Sequence, residues 1–114
     1  MTDRAPKLLL DALDAIASAQ AFVAGVSLTA YSADKMRRSA VERQLEILGE
    51  ACSRLAKLEP SWINAVANLK LAIDLRNRII HGYDSVDDEM VYFTAMDDLN
   101  ELKADLSRLL VERG

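Results

Sequence analysis

The residues best suited to chemistry lie in one short run, Leu75-Arg76-Asn77-Arg78-Ile79-Ile80-His81-Gly82-Tyr83, which holds the chain's only histidine. Whatever chemistry uses an imidazole here must use His81. An imidazole titrates near neutrality and serves as a general base or acid. A guanidinium keeps its charge at any working pH and matches phosphate oxygens in fork geometry, so Arg76 suits the stabilisation of a phosphorane-like transition state. At this composition, an Arg five residues before a lone His and a Tyr two after it coincide by chance roughly once in five hundred trials. The trio is therefore informative where the Arg-to-His spacing alone is weak.

These side chains need a helix end to carry them. Gly82 releases the chain from a helix whose last carbonyls form the negative end of its dipole beside His81, and this release lets Tyr83 present its hydroxyl on a flexible rim. Five residues on an ideal helix set Arg76 and His81 about 140° apart. A site using both requires a cleft fed from several directions, such as one across a symmetric dimer. A blander reading fits the same residues: His81 as a partner of the helix dipole, with Arg76 and Arg78 paired to carboxylates of an acidic chain. Spacing and composition leave both open.

The elements that must position this run follow from composition and periodicity. With 114 residues the chain is one domain, residues 1–114, and its 51% hydrophobic and 28% charged content predicts a folded globule. Aromatics at 5%, four Gly and two Pro point to an all-α fold. One Cys and one His exclude an intrachain disulfide and a zinc site made only of those ligands, leaving Cys52 as a small buried hydrophobe. The net charge of -4 gives no general attraction to nucleic acid or an anionic membrane, so any phosphate contact must be local. No apolar run is long enough to span a membrane and no secretory signal opens the chain, which predicts a cytoplasmic protein.

A first helix is predicted over about residues 6–24, with Leu9, Leu13, Ile16 and Val23 inward and Gly25 as its cap. A connector at residues 27–32 holds a short helical turn, and Ser32 caps the second helix, about 33–58, whose apolar positions run from Met36 to Leu58. Gly49 in its middle costs about 1 kcal/mol relative to Ala and marks the close approach of another helix. Glu46 and Glu50, four residues apart, repel unless Arg43, Arg54 or another helix pairs them. Pro60 breaks the pattern. A third helical region covers about 62–81 with an irregularity near Asn68. Asp87, Asp88 and Glu89 open a fourth, which carries Met90, Phe93, Met96, Leu99, Leu102, Leu106 and Leu109 inward. Short connections between these elements describe an up-and-down four-helix bundle. Trp62 reads as a core or interface anchor, and Arg37 and Arg38 as a solvated face.

The segment Arg76 to Tyr83 resembles the Arg-X4-His-X-Tyr signature of HepT-type proteins in the HEPN superfamily, and Leu45-Glu46-Ile47-Leu48-Gly49-Glu50-Ala51 is similar to that family's second-helix motif. Trp62-Ile63 sits where the family often has a Trp, and Val86-Asp87 resembles its entry into the last helix. The likeness runs from the first helix to the last. From Trp62 to Leu75 the chain is longer than the family pattern, which predicts an extended or kinked third helix.

The resemblance implies a four-helix HEPN bundle that forms a homodimer or higher even oligomer. It implies the toxin of a type VII toxin–antitoxin pair, a metal-independent endoribonuclease without cofactors. Arg76 and His81 would be its catalytic pair at the dimer cleft, His81 activating a ribose 2′-hydroxyl and Arg76 stabilising the charge on the attacked phosphate. Asn77, Arg78 and Glu50 would support them. The implied partner is a minimal nucleotidyltransferase antitoxin that transfers AMP to Tyr83, where a bulky anion obstructs RNA. The alternative is a non-catalytic helical interaction module that binds the nucleotidyltransferase.

Overall fold

Pro6 lies in the first turn of the first helix, where its missing N–H costs little, and Gly25 follows that helix with φ +73°, a conformation that a Cβ disfavours. The computed structural model describes residues 3–82 and 86–113. Every regular element among them is helical: α1 (Ala5–Val23), α2 (Leu28–Ala33), α3 (Lys35–Leu58), α4 (Trp62–Ala65), α5 (Ala67–His81), α6 (Asp88–Phe93), a π-helical turn (Thr94–Asp98) and α7 (Leu99–Arg113). The all-α expectation holds for these residues. α1 packs along α3 and α7, α3 along α5, and α5 also meets α7. Leu9 and Ile16 of α1, Leu45 and Leu55 of α3, Leu69 of α5 and Leu102 and Leu106 of α7 meet in one buried cluster.

Local capping explains most of the boundaries. The Ser27 hydroxyl accepts from the Ala30 N–H at 3.1 Å and opens α2. The cap of α3 is Asp34 and not Ser32, because Ser32 is still inside α2. The Asp34 carboxylate accepts from the Arg37 N–H at 3.0 Å, and this bond holds its pKa below the ordinary value. Asp87 caps α6 as expected, accepting from the N–H groups of Glu89 and Met90. The third helical region breaks at Val66, two residues before the expected irregularity: Val66 takes φ -113° and ψ 99° while its side chain stays buried, so α4 and α5 are separate helices.

The last region departs from a simple helical period. The Leu99 N–H reaches back five residues to the Thr94 carbonyl, the mark of a π turn. This wide turn lets Val91, Ala95 and Leu99 face the core at steps of four, and Leu102, Leu106 and Leu109 continue the face along α7. Phe93 and Met96, expected inside from steps of three, are 44% and 37% exposed. Met36 is 84% exposed for a different reason: it lies five residues, about 140°, from Val41, where the buried face of α3 begins.

Two tethers close the molecule. The Tyr92 hydroxyl donates to the Val26 carbonyl, and its ring lies 5.4 Å from that of Tyr31. Arg113 donates to Glu59 at 2.8 Å and pairs with Asp3 at 2.9 Å, and its guanidinium stands 5.5 Å from the Trp62 ring. Trp62 is thus an anchor between α4 and the end of α7.

Gly49 is buried at the α3–α5 contact. A Cβ there would lie 2.3 Å from the Cβ of Arg76 and 2.8 Å from the Ala72 carbonyl oxygen, distances at which the helices must separate. Gly49→Ala is therefore expected to destabilise the fold by about 1–3 kcal/mol through overpacking, against the roughly 1 kcal/mol that Ala gains in helix propensity. Urea unfolding followed by circular dichroism measures this, and an equal or higher midpoint would refute the close contact.

Candidate active site

Because no side chain separates the helices at Gly49, the stem of Arg76 lies against α3 and its guanidinium meets the next residue along that helix, Glu50. Nη2 of Arg76 is 3.2 Å from Oε2 of Glu50. The other Glu50 oxygen accepts from Nε of Arg54 at 3.0 Å. One carboxylate thus holds guanidiniums from two helices. Arg76 also donates through Nη1 to the Asn77 side-chain oxygen at 3.2 Å, so Asn77 steadies the arginine and not the histidine. Glu46 pairs with Arg43 at 3.2 Å. The repulsion read from the Glu46/Glu50 spacing is answered by Arg43, by Arg54 and, across the helix contact, by Arg76.

Arg43, Glu46, Glu50, Arg54 and Arg76 line a groove of about 500 Å³ between α1, α3 and α5. α1 adds Asp11, Asp14 and Ser18, so the carboxylates of Asp11, Asp14, Glu46 and Glu50 outnumber the guanidiniums of Arg43, Arg54 and Arg76. Arg76 and Ile80, four residues apart, share this face. His81, one residue further, is exposed and outside the groove, and among the described residues its side chain makes no hydrogen bond or ion pair. Arg78 turns toward α6, its Nη1 lying 3.5 Å from the sulfur of Met90. Tyr83 lies outside the described residues.

Of the residues singled out from sequence, the fold brings Arg76, Glu50 and Asn77 together and leaves His81 and Arg78 on other sides of α5. The contribution of α1 was not legible. Asp11, Asp14 and Ser18 form a polar stripe on the first helix, but any solvated helix face has one, and only packing turns it into a groove wall. Cys52 takes no part: burial pushes its thiol up to about 12, which denies it the thiolate a nucleophile needs. No described helix is long and apolar enough to cross a membrane.

The second-helix motif and the Arg76–His81 run therefore meet in space at one helix contact, and a family model described as Ribonuclease HepT-like matches residues 12–109. The chain belongs to the HepT-like ribonuclease family. Membership implies an endoribonuclease with an RNA substrate. Neither the curated proteins nor the solved structures searched give a match. In this HepT-like chain the matched span takes in Glu50, Arg76 and His81 together with the whole α3–α5 contact.

The side chains of Arg76 and Glu50 are 29% and 44% exposed, so water screens their attraction. Glu50→Gln is expected to change folding stability by less than about 1 kcal/mol, measured by urea unfolding. A larger loss would make Glu50 a structural residue.

Proposed function

We propose that this HepT-like protein is a cytoplasmic toxin ribonuclease whose catalytic pair is Arg76 and His81. The observation that carries the reading is the placement of Arg76. A guanidinium half-exposed at a helix contact, held by one carboxylate and five residues before a helix-terminal histidine, belongs to a chain of a ribonuclease family. His81 removes the proton of a ribose 2′-hydroxyl, and that oxygen attacks the adjacent phosphorus. Arg76 stabilises the charge on the phosphorane. The 5′-oxygen then leaves with the proton that the His81 imidazolium gives back, directly or through water, leaving a 2′,3′-cyclic phosphate and a 5′-hydroxyl and a neutral His81. No metal ion is needed for these steps.

For Arg76 to bind the phosphate, it must exchange Glu50 for a phosphate oxygen. Arg54 remains on Glu50 during the exchange, so the carboxylate is never left without a cation. Asn77 holds Arg76 in place; Arg78 adds positive charge on the α6 side. α1, α3, α5 and α7 form an up-and-down four-helix bundle in this reading. A homodimer, or a higher even oligomer, supplies the second Arg76 and His81 to a shared cleft, which overcomes the separation of the two side chains around one helix. A minimal nucleotidyltransferase antitoxin neutralises the toxin by transferring AMP to Tyr83, whose added phosphate repels RNA.

The separation of His81 from the Arg76 groove within one chain favours a second reading, a non-catalytic module that the nucleotidyltransferase binds and modifies. Cleavage of RNA in the presence of a chelator separates the two. The wild type is expected to leave cyclic phosphate ends, with His81→Ala slowed by about a hundredfold or more and Arg76→Ala comparably impaired. Equal cleavage by all three proteins would overturn the catalytic assignment, and no cleavage by any of them, with AMP still transferred to Tyr83 but not to Tyr83→Phe, would establish the module.

A further inference from the structure

A second groove, of about 650 Å³, lies between the first turns of α1 and the last turns of α3 and adjoins the Arg76 groove through Leu8, Asp11 and Arg54. The balance of charge reverses along this path. Carboxylates predominate beside Arg76, whereas Arg4, Lys7, Arg54 and Lys57 outnumber Asp3 and Asp11 in the second groove. Both of those carboxylates are already engaged, Asp3 by Arg113 at 2.9 Å and Asp11 by Lys7 at 2.6 Å. Arg4 and Lys57 are exposed and, among the described residues, form no ion pair. Two uncompensated cations thus border a concave surface of a chain whose net charge is -4.

We infer that this α1–α3 groove binds the phosphate backbone of the single-stranded RNA substrate on one side of the scissile bond. The inference rests on the ribonuclease reading and extends it from the reacting phosphate to its neighbours. Arg54 is the joint between the two grooves. Still paired with Glu50, it lines the second groove as well as the first. Leu8 and Leu58 give the path an apolar floor and rim against which ribose or base rests, and the cations supply a sequence-independent attraction for phosphates.

The test uses the full chain and a 2′-O-methyl single-stranded oligonucleotide, which cannot be cleaved by attack of its own 2′-oxygen. Arg4→Glu/Lys57→Glu is compared with Lys70→Glu/Lys103→Glu, which makes the same change in net charge at exposed lysines elsewhere. Fluorescence anisotropy is expected to show about tenfold or greater weakening for the groove variant and little for the other, with the slope of log affinity against log salt reduced by about 1.4 in the groove variant alone. Circular dichroism verifies that both remain folded.

Equal weakening of the two variants, or none in the groove variant, would overturn the groove. So would loss of poly-L-glutamate binding in the groove variant while the oligonucleotide binds unchanged, which would assign the surface to an acidic protein segment. Cleavage of unmodified RNA by the wild type is scored separately. If cleavage is absent but oligonucleotide binding depends on Arg4 and Lys57, the groove stands and the nuclease reading falls; if cleavage is present and binding ignores these residues, only the groove falls.

Discussion

The contact between α3 and α5 at Gly49 is the constraint from which the rest of the site follows. A hydrogen in place of a side chain lets the Arg76 stem and the Ala72 carbonyl occupy the space where a Cβ would stand. Only at that separation does the Arg76 guanidinium come into line with Glu50, and only then do Glu50 and Arg54 become part of a groove that α1 closes on its far side. Gly49 weakens α3 locally, yet the buried apolar residues on either side of it, from Val41 to Leu55, offset that cost.

The ion pairs of this groove contribute little to holding the chain folded, since they are half exposed and screened. Their importance lies in geometry and exchange. A carboxylate shared by two guanidiniums orients both, and in the proposed reaction it would give up one to an arriving phosphate without becoming unpaired. In a chain of net charge -4 that arrangement also means that any phosphate approaching Arg76 competes with Glu50 for its guanidinium.

Much of this was legible in local spacing. The inward faces of α1 and α3, the termination of α5 at Gly82 and the Asp87 cap depend on neighbours within a turn or two. The pairing of Arg43 with Glu46 and of Arg54 with Glu50 is likewise a property of three- and four-residue steps on one helix. The misreadings share a cause. Ser32 lost the cap to Asp34 because a short helix consumed it, Val66 left the helical conformation while keeping its side chain in the core, and the π turn at Thr94–Asp98 changed the step by which α6 and α7 present their apolar residues. Each is a local choice settled by packing against another element, and periodicity within one segment carries no record of it.

By itself the sequence determined the helical class, the Asp87 cap and the Gly82 stop, the demand for a close neighbour at Gly49 and the Arg76–His81–Tyr83 spacing that resembles a ribonuclease motif. Spacing along a helix sets the angle between two side chains, so the divergence of Arg76 and His81 was already implied. Tertiary structure decided what each angle faces: Glu50 and the groove between α1, α3 and α5 for Arg76, solvent for His81 and Met90 for Arg78. The reason is physical. A helix fixes its own geometry through hydrogen bonds four residues apart, whereas the identity of its neighbours depends on burying apolar surface against segments distant along the chain.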